Sequence, residues 1–258
     1  MNEFHQYSHC PLCESESIKH HKSSDCSTHP LYKPQLSRIM HWKSCNICGH
    51  IFREGYYTEE ANAILFSGTN RNQTFGHDME NQRIVSSHMI EKIIPFRSSG
   101  DWLDIGFGNG SLLFTAQEYS FNPVGVDLRD DNVKALNGLG IEAYCQTIET
   151  LNFDSRFSVI SMADVLEHTP YPSEALKAVY RLLKSDGVIF LSMPNSESML
   201  WRALDLNNSN PYWGEIEHYH NFGRSRLYSL LDEYGFAPVR YGISERYRAC
   251  MEIIAIKK

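Results

Sequence analysis

From Trp102 onward, short apolar segments alternate with amphipathic segments, and this alternation restricts the possible folds more than any other feature. The apolar segments have the length of strands, and the stretches that follow them have helical periodicity. Strands that alternate with helices indicate a parallel sheet that is wound in both directions. The segments interpreted as strands are WLDI (102–105), VGV (124–126), VISM (159–162) and VIFLS (188–192).

Two further elements flank this alternation. The C-terminal segments PVRYGI and MEIIAI predict an antiparallel hairpin that closes one edge of the sheet. Upstream, residues 77–96 read as one amphipathic helix with apolar contacts at Ile84, Ile90, Ile93 and Ile94. The expected fold class is therefore α/β, with a doubly wound and mostly parallel sheet.

The overall composition narrows the class of protein. Of the 258 residues, 42% are hydrophobic and 21% are charged, as in ordinary soluble domains. No apolar run approaches the ~20 residues of a membrane-spanning helix, and MNEFHQYSHC lacks the pattern of a signal peptide. We therefore expect a cytoplasmic protein with no membrane partner. A net charge of −7 disfavours a nucleic-acid partner, because phosphates attract basic surfaces.

Two C-x-x-C pairs, CPLC (10–13) and CNICGH (45–50), lie within the first fifty residues. Two such pairs can supply four thiolates to one tetrahedral zinc ion. Gly49 suits the left-handed turn that follows the second pair, and His9 and His50 flank the pairs as alternative ligands. The predicted zinc ligands are Cys10, Cys13, Cys45 and Cys48.

The front of the chain has little periodicity and therefore needs such a metal to fold. A segment of this kind cannot bury enough apolar surface to fold alone without a covalent or metal crosslink. We predict a zinc-ribbon-like module over residues 1–55, a linker with an N-terminal helix over 56–98, and the α/β domain over 99–258.

A glycine-rich turn, DWLDIGFGNGS, joins the first predicted strand to a helix. Gly106, Gly108 and Gly110 let the backbone turn sharply and approach a cofactor closely. Ser111 stands where a dinucleotide-binding fingerprint has its third glycine, which disfavours a dehydrogenase. Asp127 ends the second strand, where a carboxylate can accept hydrogen bonds from both hydroxyls of a ribose.

With Asp104 before it and Asp127 after it, the turn resembles the first motif of class I S-adenosylmethionine-dependent methyltransferases. QTIETLNF resembles that family's segment at the adenine, and residues 157–195 and 215–236 resemble the branch that includes the ubiquinone-pathway O-methyltransferases. The resemblance spans about residues 75–258 and implies a seven-stranded, Rossmann-like sheet. The paired-cysteine front end is similar to the zinc-binding head of some bacterial methyltransferases that act on sugars and secondary metabolites.

This resemblance implies which residues hold S-adenosylmethionine. The implied contacts are Asp104, Gly106, Phe107 and Gly108 for the methionine part, Asp127 and Leu128 for the ribose and one adenine face, and Gln146, Thr147 and Ile148 for the adenine. Many relatives carry an acid at the position of Thr147. The adenine amino group would here meet a hydroxyl or a backbone atom instead.

The segment ADVLEH directly follows the strand VISM. It therefore lies at the carboxyl ends of the strands, where ligands bind in such folds. Asp164, Glu167 and His168 are three and four positions apart, so one helical turn would place them on one face. Three roles are open: His168 is a general base, the group binds a divalent metal together with His218, or it only caps and positions the next helix. A similar acid, Glu-His and His pattern binds metal in methyltransferases of small RNAs, and His220 is a substitute ligand.

We predict an S-adenosylmethionine-dependent methyltransferase that methylates an oxygen of a small-molecule, sugar or glycan intermediate. Its cofactors would be S-adenosylmethionine, a structural zinc ion and, in one version, a divalent metal at the active site. The alternatives are an RNA methyltransferase that uses the zinc head as an RNA grip, and a catalytically inactive cofactor-binding protein of the same fold. Residues expected either to line the acceptor cleft or to serve only for packing are Tyr56, Tyr57, Tyr212 and Trp213.

Overall fold

The computed structural model describes residues 3–65, 67 and 73–258, which form two compact units. We call one the glycine-loop unit, and it contains the described residues within 70–166, 174–193 and 231–258. We call the other the cysteine unit, and it contains those within 1–69, 167–173 and 194–230.

The strands and α-helices of the described residues are numbered in chain order. The strands are β1 (Phe4–Gln6), β2 (Ile18–Asp25), β3 (Ile39–Cys45), β4 (Ile51–Arg53), β5 (Gly55–Tyr57), β6 (Gly100–Ile105), β7 (Phe121–Asp127), β8 (Glu142–Cys145), β9 (Phe157–Ala163), β10 (Leu183–Pro194), β11 (His220–Asn221), β12 (Phe236–Ile243) and β13 (Cys250–Lys257). The α-helices are α1 (Glu59–Leu65), α2 (Met79–Ile93), α3 (Ser111–Glu118), α4 (Asp130–Gly138), α5 (Pro172–Leu182), α6 (Met199–Leu206) and α7 (Arg224–Glu233).

The glycine-loop unit is built on a seven-stranded sheet with the order β12-β13-β10-β9-β6-β7-β8. Strand β6 pairs in parallel with β7 and β9, β7 with β8, and β9 with β10. Every residue of β9 is buried, as expected for a parallel strand that is covered on both faces. The hairpin of β12 and β13 is antiparallel and lies at one edge. The predicted α/β fold with a mostly parallel sheet is confirmed.

Helix α2 is shorter than the predicted helix over residues 77–96, and one of its expected contacts is wrong. Ile90 and Ile93 are fully buried and Ile94 is partly buried, but Ile84 is 58% exposed. Residues of an α-helix are 100° apart, so Ile84 lies on the face opposite to Ile93.

The cysteine unit contains two antiparallel sheets. Strand β1 pairs with β5, and a second sheet has the order β11-β4-β3-β2. Met40, Trp42 and Phe52 are among its fully buried core side chains. The short strand β11 comes from far along the chain, where His220 pairs with Phe52. The sequence did not reveal this sheet, since IKHHKSSD of β2 has a single apolar residue and no clear alternation.

The compact units do not follow the boundaries predicted at residues 55 and 98. The cysteine unit takes in residues up to 69 and also residues 167–173 and 194–230, which the sequence assigned to the α/β domain. Residues 66 and 68–72 of the predicted linker lie outside the described residues. Among the helices of the described residues, none combines the length and apolarity that a membrane crossing requires.

Candidate functional site

The glycine-rich turn runs from the end of β6 to the start of α3. Gly106, Gly108 and Gly110 have φ angles of +68°, +52° and +85°, a region that side chains with a Cβ atom rarely adopt. A Cβ atom on Gly106 would also lie 2.8 Å from a methyl carbon of Val165. The turn therefore requires glycine on both conformational and steric grounds, and Gly106 itself stays exposed.

Asp127 lies at the end of β7 with its carboxylate against this turn. The backbone N–H of Gly108 donates to Asp127 Oδ2 at 3.0 Å, and the N–H of Arg129 donates to Oδ1 at 2.9 Å. Both oxygens keep further lone pairs, so they can still accept hydrogen bonds from two hydroxyl groups. The geometry is that of a carboxylate held in a fixed orientation by the loop that it faces.

Asp104 is held below the turn and not at its surface. Its side chain is buried, Ser161 Oγ donates to Oδ1 at 2.6 Å, and Trp102 Nε1 donates to Ser161 Oγ at 2.8 Å. Burial raises the pKa of Asp104 to about 7, because a charged carboxylate is poorly solvated there. Asp104 therefore supports the turn from inside the unit.

The other predicted cofactor contacts differ in exposure. The side chain of Phe107 is buried in a cluster with Leu136, so its backbone and not its ring is open to a ligand. Leu128 is 71% exposed and Thr147 is exposed, whereas Gln146 is partly exposed and Ile148 is buried. All of these residues belong to the glycine-loop unit, and their contact with a cofactor stays a prediction.

Sequence reasoning missed Asn132 and the segment that begins at Gln73. Asn132 Nδ2 lies 2.9 Å from the carbonyl oxygen of Gly108 and 3.1 Å from that of Gln73. The N–H of Gly76 donates to the carbonyl of Asn109 at 3.0 Å. This segment therefore packs on the glycine-rich turn. No sequence motif marks it, since its contacts join residues that are distant along the chain.

The four predicted zinc ligands come together in the cysteine unit. Their Sγ atoms all lie within 4.8 Å of one another, with Cys10 to Cys48 at 3.7 Å and Cys13 to Cys45 at 3.5 Å. Two thiolates on one tetrahedral zinc ion are separated by about 3.8 Å, given Zn–S distances of about 2.3 Å. The hydrogen bond from the Cys10 thiol lowers the pKa of Cys48, whereas the same pairing and burial raise the pKa of Cys10. The residues fit a structural zinc ion.

Both pairs form similar backbone turns around their sulfur atoms. The N–H of Ile47 points at Cys45 Sγ at 3.4 Å, and the residue after each pair adopts a left-handed conformation. That residue is Gly49 with φ +71° in the second pair and Glu14 with φ +58° in the first. The alternative ligand His50 is occupied elsewhere, since its Nε2 atom lies 3.0 Å from His220 Nδ1. His9 is exposed and lies beside Ser8.

The segment ADVLEH divides between the two units after Leu166. In the cysteine unit, Glu167, His168 and His218 each have one possible ligand atom within 4.8 Å of the others. Asp164 belongs to the glycine-loop unit, where Ser192 Oγ donates to its Oδ1 atom at 3.0 Å and Arg246 lies 3.6 Å from Oδ2. The structure therefore brings three of the four predicted catalytic residues together and gives the fourth other partners.

The imidazole of His168 has a defined tautomer. Its Nδ1 atom lies 3.0 Å from the carbonyl oxygen of Glu217, which can only accept a hydrogen bond. Nδ1 therefore carries the proton, and Nε2 keeps a lone pair for a proton or a metal ion. The ring packs edge to face on His218, with 4.7 Å between the ring centroids.

His218 is buried. Burial and the neighbouring His168 lower its pKa to about 3. Within the described residues, its buried Nδ1 atom has no hydrogen-bond partner. Such an atom is costly unless a ligand, an ion or a water molecule satisfies it. Two imidazoles and a carboxylate are a donor set that suits divalent transition metals.

A third group of acids and histidine was not predicted. His29, Glu215 and Glu217 have possible ligand atoms within 4.8 Å of one another. His29 Nε2 lies 2.6 Å from Glu215 Oε1, and the N–H of Leu31 donates to His29 Nδ1 at 3.2 Å, so Nε2 is the protonated nitrogen. Burial opposes ionisation of Glu215, but the hydrogen bond from His29 stabilises its carboxylate and helps to hold the pKa of Glu215 below its usual range.

The residues suggested for an acceptor cleft mostly have packing partners. Tyr57 and Trp213 are buried, and Trp213 Nε1 donates to Asp205 at 2.5 Å. Tyr212 stacks on Trp201 with 5.5 Å between ring centroids. Tyr56 is partly exposed and meets Tyr171 edge to face. Their role in binding an acceptor stays a prediction. His220 donates from Nε2 to the carbonyl of Thr169 at 2.9 Å and is not in the ligand group.

Comparison with known families identifies the larger part of the chain. Residues 76–241 match a family model described as a methyltransferase domain. A relative from Idiomarina loihiensis, named ubiquinone biosynthesis O-methyltransferase, is 34% identical over 107 residues. The match covers 38% of this chain and 44% of the relative, so the chain spans less than half the length of such curated relatives.

Solved structures share the fold at low sequence identity. A protein from Pyrococcus horikoshii has a TM-score of 0.58 and 17% identity, with 74% of this chain and 97% of that chain covered. The 1,6-didemethyltoxoflavin-N1-methyltransferase of Burkholderia thailandensis, solved with 1,6-didemethyltoxoflavin and S-adenosylhomocysteine, has a TM-score of 0.54 and 20% identity. The match covers 70% of this chain and 80% of that enzyme's chain.

Proposed function

The chain belongs to the methyltransferase domain family, and we propose that it transfers the methyl group of S-adenosylmethionine to an oxygen atom. The acceptor in this proposal is a small-molecule, sugar or glycan intermediate. The name of the Idiomarina loihiensis relative supports an oxygen acceptor, and the net charge of −7 supports an acceptor other than nucleic acid.

The observation that carries the proposal is the pairing of the glycine-rich turn with Asp127. Three glycines at positive φ bring the backbone close to a ligand, and the carboxylate of Asp127 is fixed beside them by the N–H of Gly108. A carboxylate in this position can accept hydrogen bonds from the ribose of S-adenosylmethionine. The exposed backbone at Gly106 leaves room for the methionine part.

The chemistry requires a base and an in-line approach. The acceptor oxygen attacks the methyl carbon, the bond from that carbon to the sulfonium breaks, and S-adenosylhomocysteine leaves. His168 is proposed to take the hydroxyl proton at Nε2, because its Nδ1 proton is bound to the carbonyl of Glu217. Asp164, Glu167 and His218 are proposed to take part in the reaction with His168.

Glu167, His168 and His218 also have the composition of a divalent metal site, and Nδ1 of His218 is a buried donor atom with no partner in the described residues. A divalent metal ion bound there would lower the pKa of a coordinated hydroxyl. The cysteines are proposed to hold a structural zinc ion, in which case they contribute to folding and not to the reaction.

The proposal is tested first by calorimetry with S-adenosylhomocysteine and NAD, and then by mass spectrometry for the gain of one methyl group across hydroxylated metabolites. We expect S-adenosylhomocysteine to bind and NAD not to bind. NAD binding alone would reject the proposal, and binding without any methylated product, RNA included, would favour the inactive cofactor-binding protein.

The role of His168 is tested with His168→Ala and with His41→Ala, an exposed histidine of the cysteine unit, as the control. We expect turnover to fall by about 10²- to 10⁴-fold in His168→Ala while affinity for S-adenosylhomocysteine is unchanged. Undiminished turnover would reject both the base and the metal versions. Activity that survives a strong chelator would reject the metal version alone.

A further inference from the structure

Arg53, at the end of β4, is a fully buried arginine. Its Nη1 atom donates to the carbonyl oxygen of Ile216 at 3.0 Å, and Nη2 donates to the hydroxyl of Tyr57 at 2.9 Å. The guanidinium carbon lies 4.6 Å from the ring centroid of Phe4 and 4.5 Å from that of Tyr57. In the described part of the chain its Nε atom has no hydrogen-bond partner.

These contacts do not include a carboxylate among the residues that the structure describes. A buried guanidinium without an anion is costly, because neutral acceptors and aromatic faces replace only part of its hydration. An apolar side chain would fill the same space at lower cost. An apolar side chain could not supply the hydrogen bonds to the carbonyl of Ile216 and to the hydroxyl of Tyr57, and of these two only the first fixes the backbone.

Arg53 holds the chain on both sides of His218. Its guanidinium binds the carbonyl of Ile216, two residues before His218, and its backbone N–H donates to the carbonyl of Tyr219, one residue after, at 2.8 Å. The N–H of Tyr219 in turn donates to the carbonyl of Glu167 at 2.9 Å. Arg53 therefore bonds the backbone on both sides of His218, and Tyr219 extends this chain of hydrogen bonds to Glu167, the residue before His168.

We propose that Arg53 is a positioning residue that orients His218 and His168 for the reaction. The guanidinium fixes the segment 215–219, and this segment supplies both the His218 ring and the Glu217 carbonyl that selects the tautomer of His168. The N-terminal part of the chain, which supplies Arg53, thus helps to position His168 and His218. That this orientation serves methyl transfer rests on the proposed function, whereas the orientation itself does not.

The test uses Arg53→Met, which keeps an unbranched chain in the cavity and removes the donors. The matched control is Arg38→Met, an exposed arginine of the same unit that pairs with Asp25. The readouts are the His168 Nδ1–H signal in proton–nitrogen correlation spectra of the full chain, and amide hydrogen exchange over residues 215–221.

We expect Arg53→Met to lose or shift the His168 signal and to speed exchange over residues 215–221, while β2 and β3 keep wild-type rates. Affinity for S-adenosylhomocysteine should not change. Equal acceleration throughout the cysteine unit would mean a general loss of stability and would overturn the positioning role. Arg38→Met should behave as wild type in every readout.

Arg53→Lys is the second variant, and it decides the matter if Arg53→Met fails to fold. Lysine keeps the charge but lacks the planar fork that joins the Ile216 carbonyl to the Tyr57 hydroxyl. We expect the same local change at smaller amplitude. A wild-type His168 signal together with wild-type exchange over residues 215–221 would refute the proposal. Both readouts are independent of turnover, so a protein without methyltransferase activity would leave this result interpretable.

Discussion

The two units differ in how far apart along the chain their candidate functional residues lie. In the glycine-loop unit, the turn and Asp127 are separated by one helix and one strand, and a local motif describes them. In the cysteine unit, Arg53 donates to the carbonyl of Ile216 and His218 lies beside His168, so segments that are distant along the chain build one group. A ligand site of the first kind can be recognised from sequence, whereas the second kind depends on tertiary structure.

The largest effect should come from the four proposed zinc ligands of the cysteine unit. Cys10→Ser combined with Cys45→Ser removes two of four thiolates, and zinc binding contributes about 10 kcal/mol to folding in small zinc domains. We expect the loss of about one zinc ion per chain and fast amide exchange in β2 to β4, with β6 and β7 still protected. Native mass spectrometry and hydrogen exchange measure both.

Cys145→Ser is the control for this experiment, since Cys145 is exposed and outside the ligand group. It should retain the zinc content and the exchange rates of the wild type. A double variant that is folded normally without zinc would contradict a structural role for the metal. Simultaneous unfolding of β6 and β7 would show that the two units do not differ in stability as we expect.

A second contrast concerns pH, beginning with Asp104 in the glycine-loop unit. Burial raises its pKa to about 7, so the unfolded chain releases this proton at lower pH than the folded chain does. The contribution of Asp104 to the free energy of unfolding is therefore most favourable at low pH and is lost as pH rises toward 7. Asp104→Asn should remove this dependence and gain on the order of 3 kcal/mol relative to wild type between pH 4 and 7. Urea unfolding of both proteins at pH 4 and pH 7 measures this gain. If the variant and the wild type differed by the same free energy of unfolding at both pH values, the carboxylate of Asp104 would already be charged at pH 4.

Asp127→Ala should weaken cofactor binding without affecting the cysteine unit. Loss of hydrogen bonds to a charged carboxylate costs about 2 kcal/mol, or roughly 30-fold in affinity for S-adenosylhomocysteine. Asp130→Ala is the control, because Asp130 is exposed at the start of α4 and forms an ion pair with Lys134. Calorimetry on both variants gives the comparison, and equal affinities would remove Asp127 from the proposed site.

His220 should respond to pH in the opposite direction to Asp104. Burial lowers its pKa to about 3, so the unfolded chain binds this proton first as pH falls. The stability that depends on neutral His220 is complete above its ordinary pKa of about 6.5 and declines below it, by about 1.5 kcal/mol at pH 5.5. His220→Gln can still donate to Thr169 and should lose less stability between pH 8 and 5.5 than wild type. Equal losses in denaturant titrations would refute this.

The smallest effect should come from the turns that follow the cysteine pairs. Glu14 adopts φ +58° where the second pair has Gly49 at φ +71°. A Cβ atom on Gly49 would meet no atom within 4 Å, so Gly49→Ala should cost only the backbone strain of about 1 kcal/mol. Glu14→Gly should gain about 0.5 kcal/mol, since relief of strain exceeds the added entropy of the unfolded chain. Thermal unfolding of the zinc-loaded protein would show whether the two signs are opposite.

Sequence reasoning succeeded where one short segment contains the whole signal. The α/β sheet follows from alternating segments, and the cysteine group follows from two matched pairs. It failed for Arg53 and His29, because a lone arginine and a lone histidine have no pattern that distinguishes a buried support from a surface residue. It also grouped Asp164 with Glu167 by helical spacing, whereas Asp164 adopts φ +58° and a separate short helix begins at Leu166.

Membership of the two units alternates along the chain in six successive stretches, and this has a consequence for biosynthesis. The ribosome adds all four proposed zinc ligands before it reaches residue 50, but β11, which pairs with β4, follows some 170 residues later. During synthesis, β4 therefore lacks its partner strand and leaves the edge of its sheet unpaired while most of the other unit is made. For the same reason, a gene fragment that ends at residue 69 would encode all four of these cysteines but would lack β11. Such a fragment could not form the complete cysteine unit.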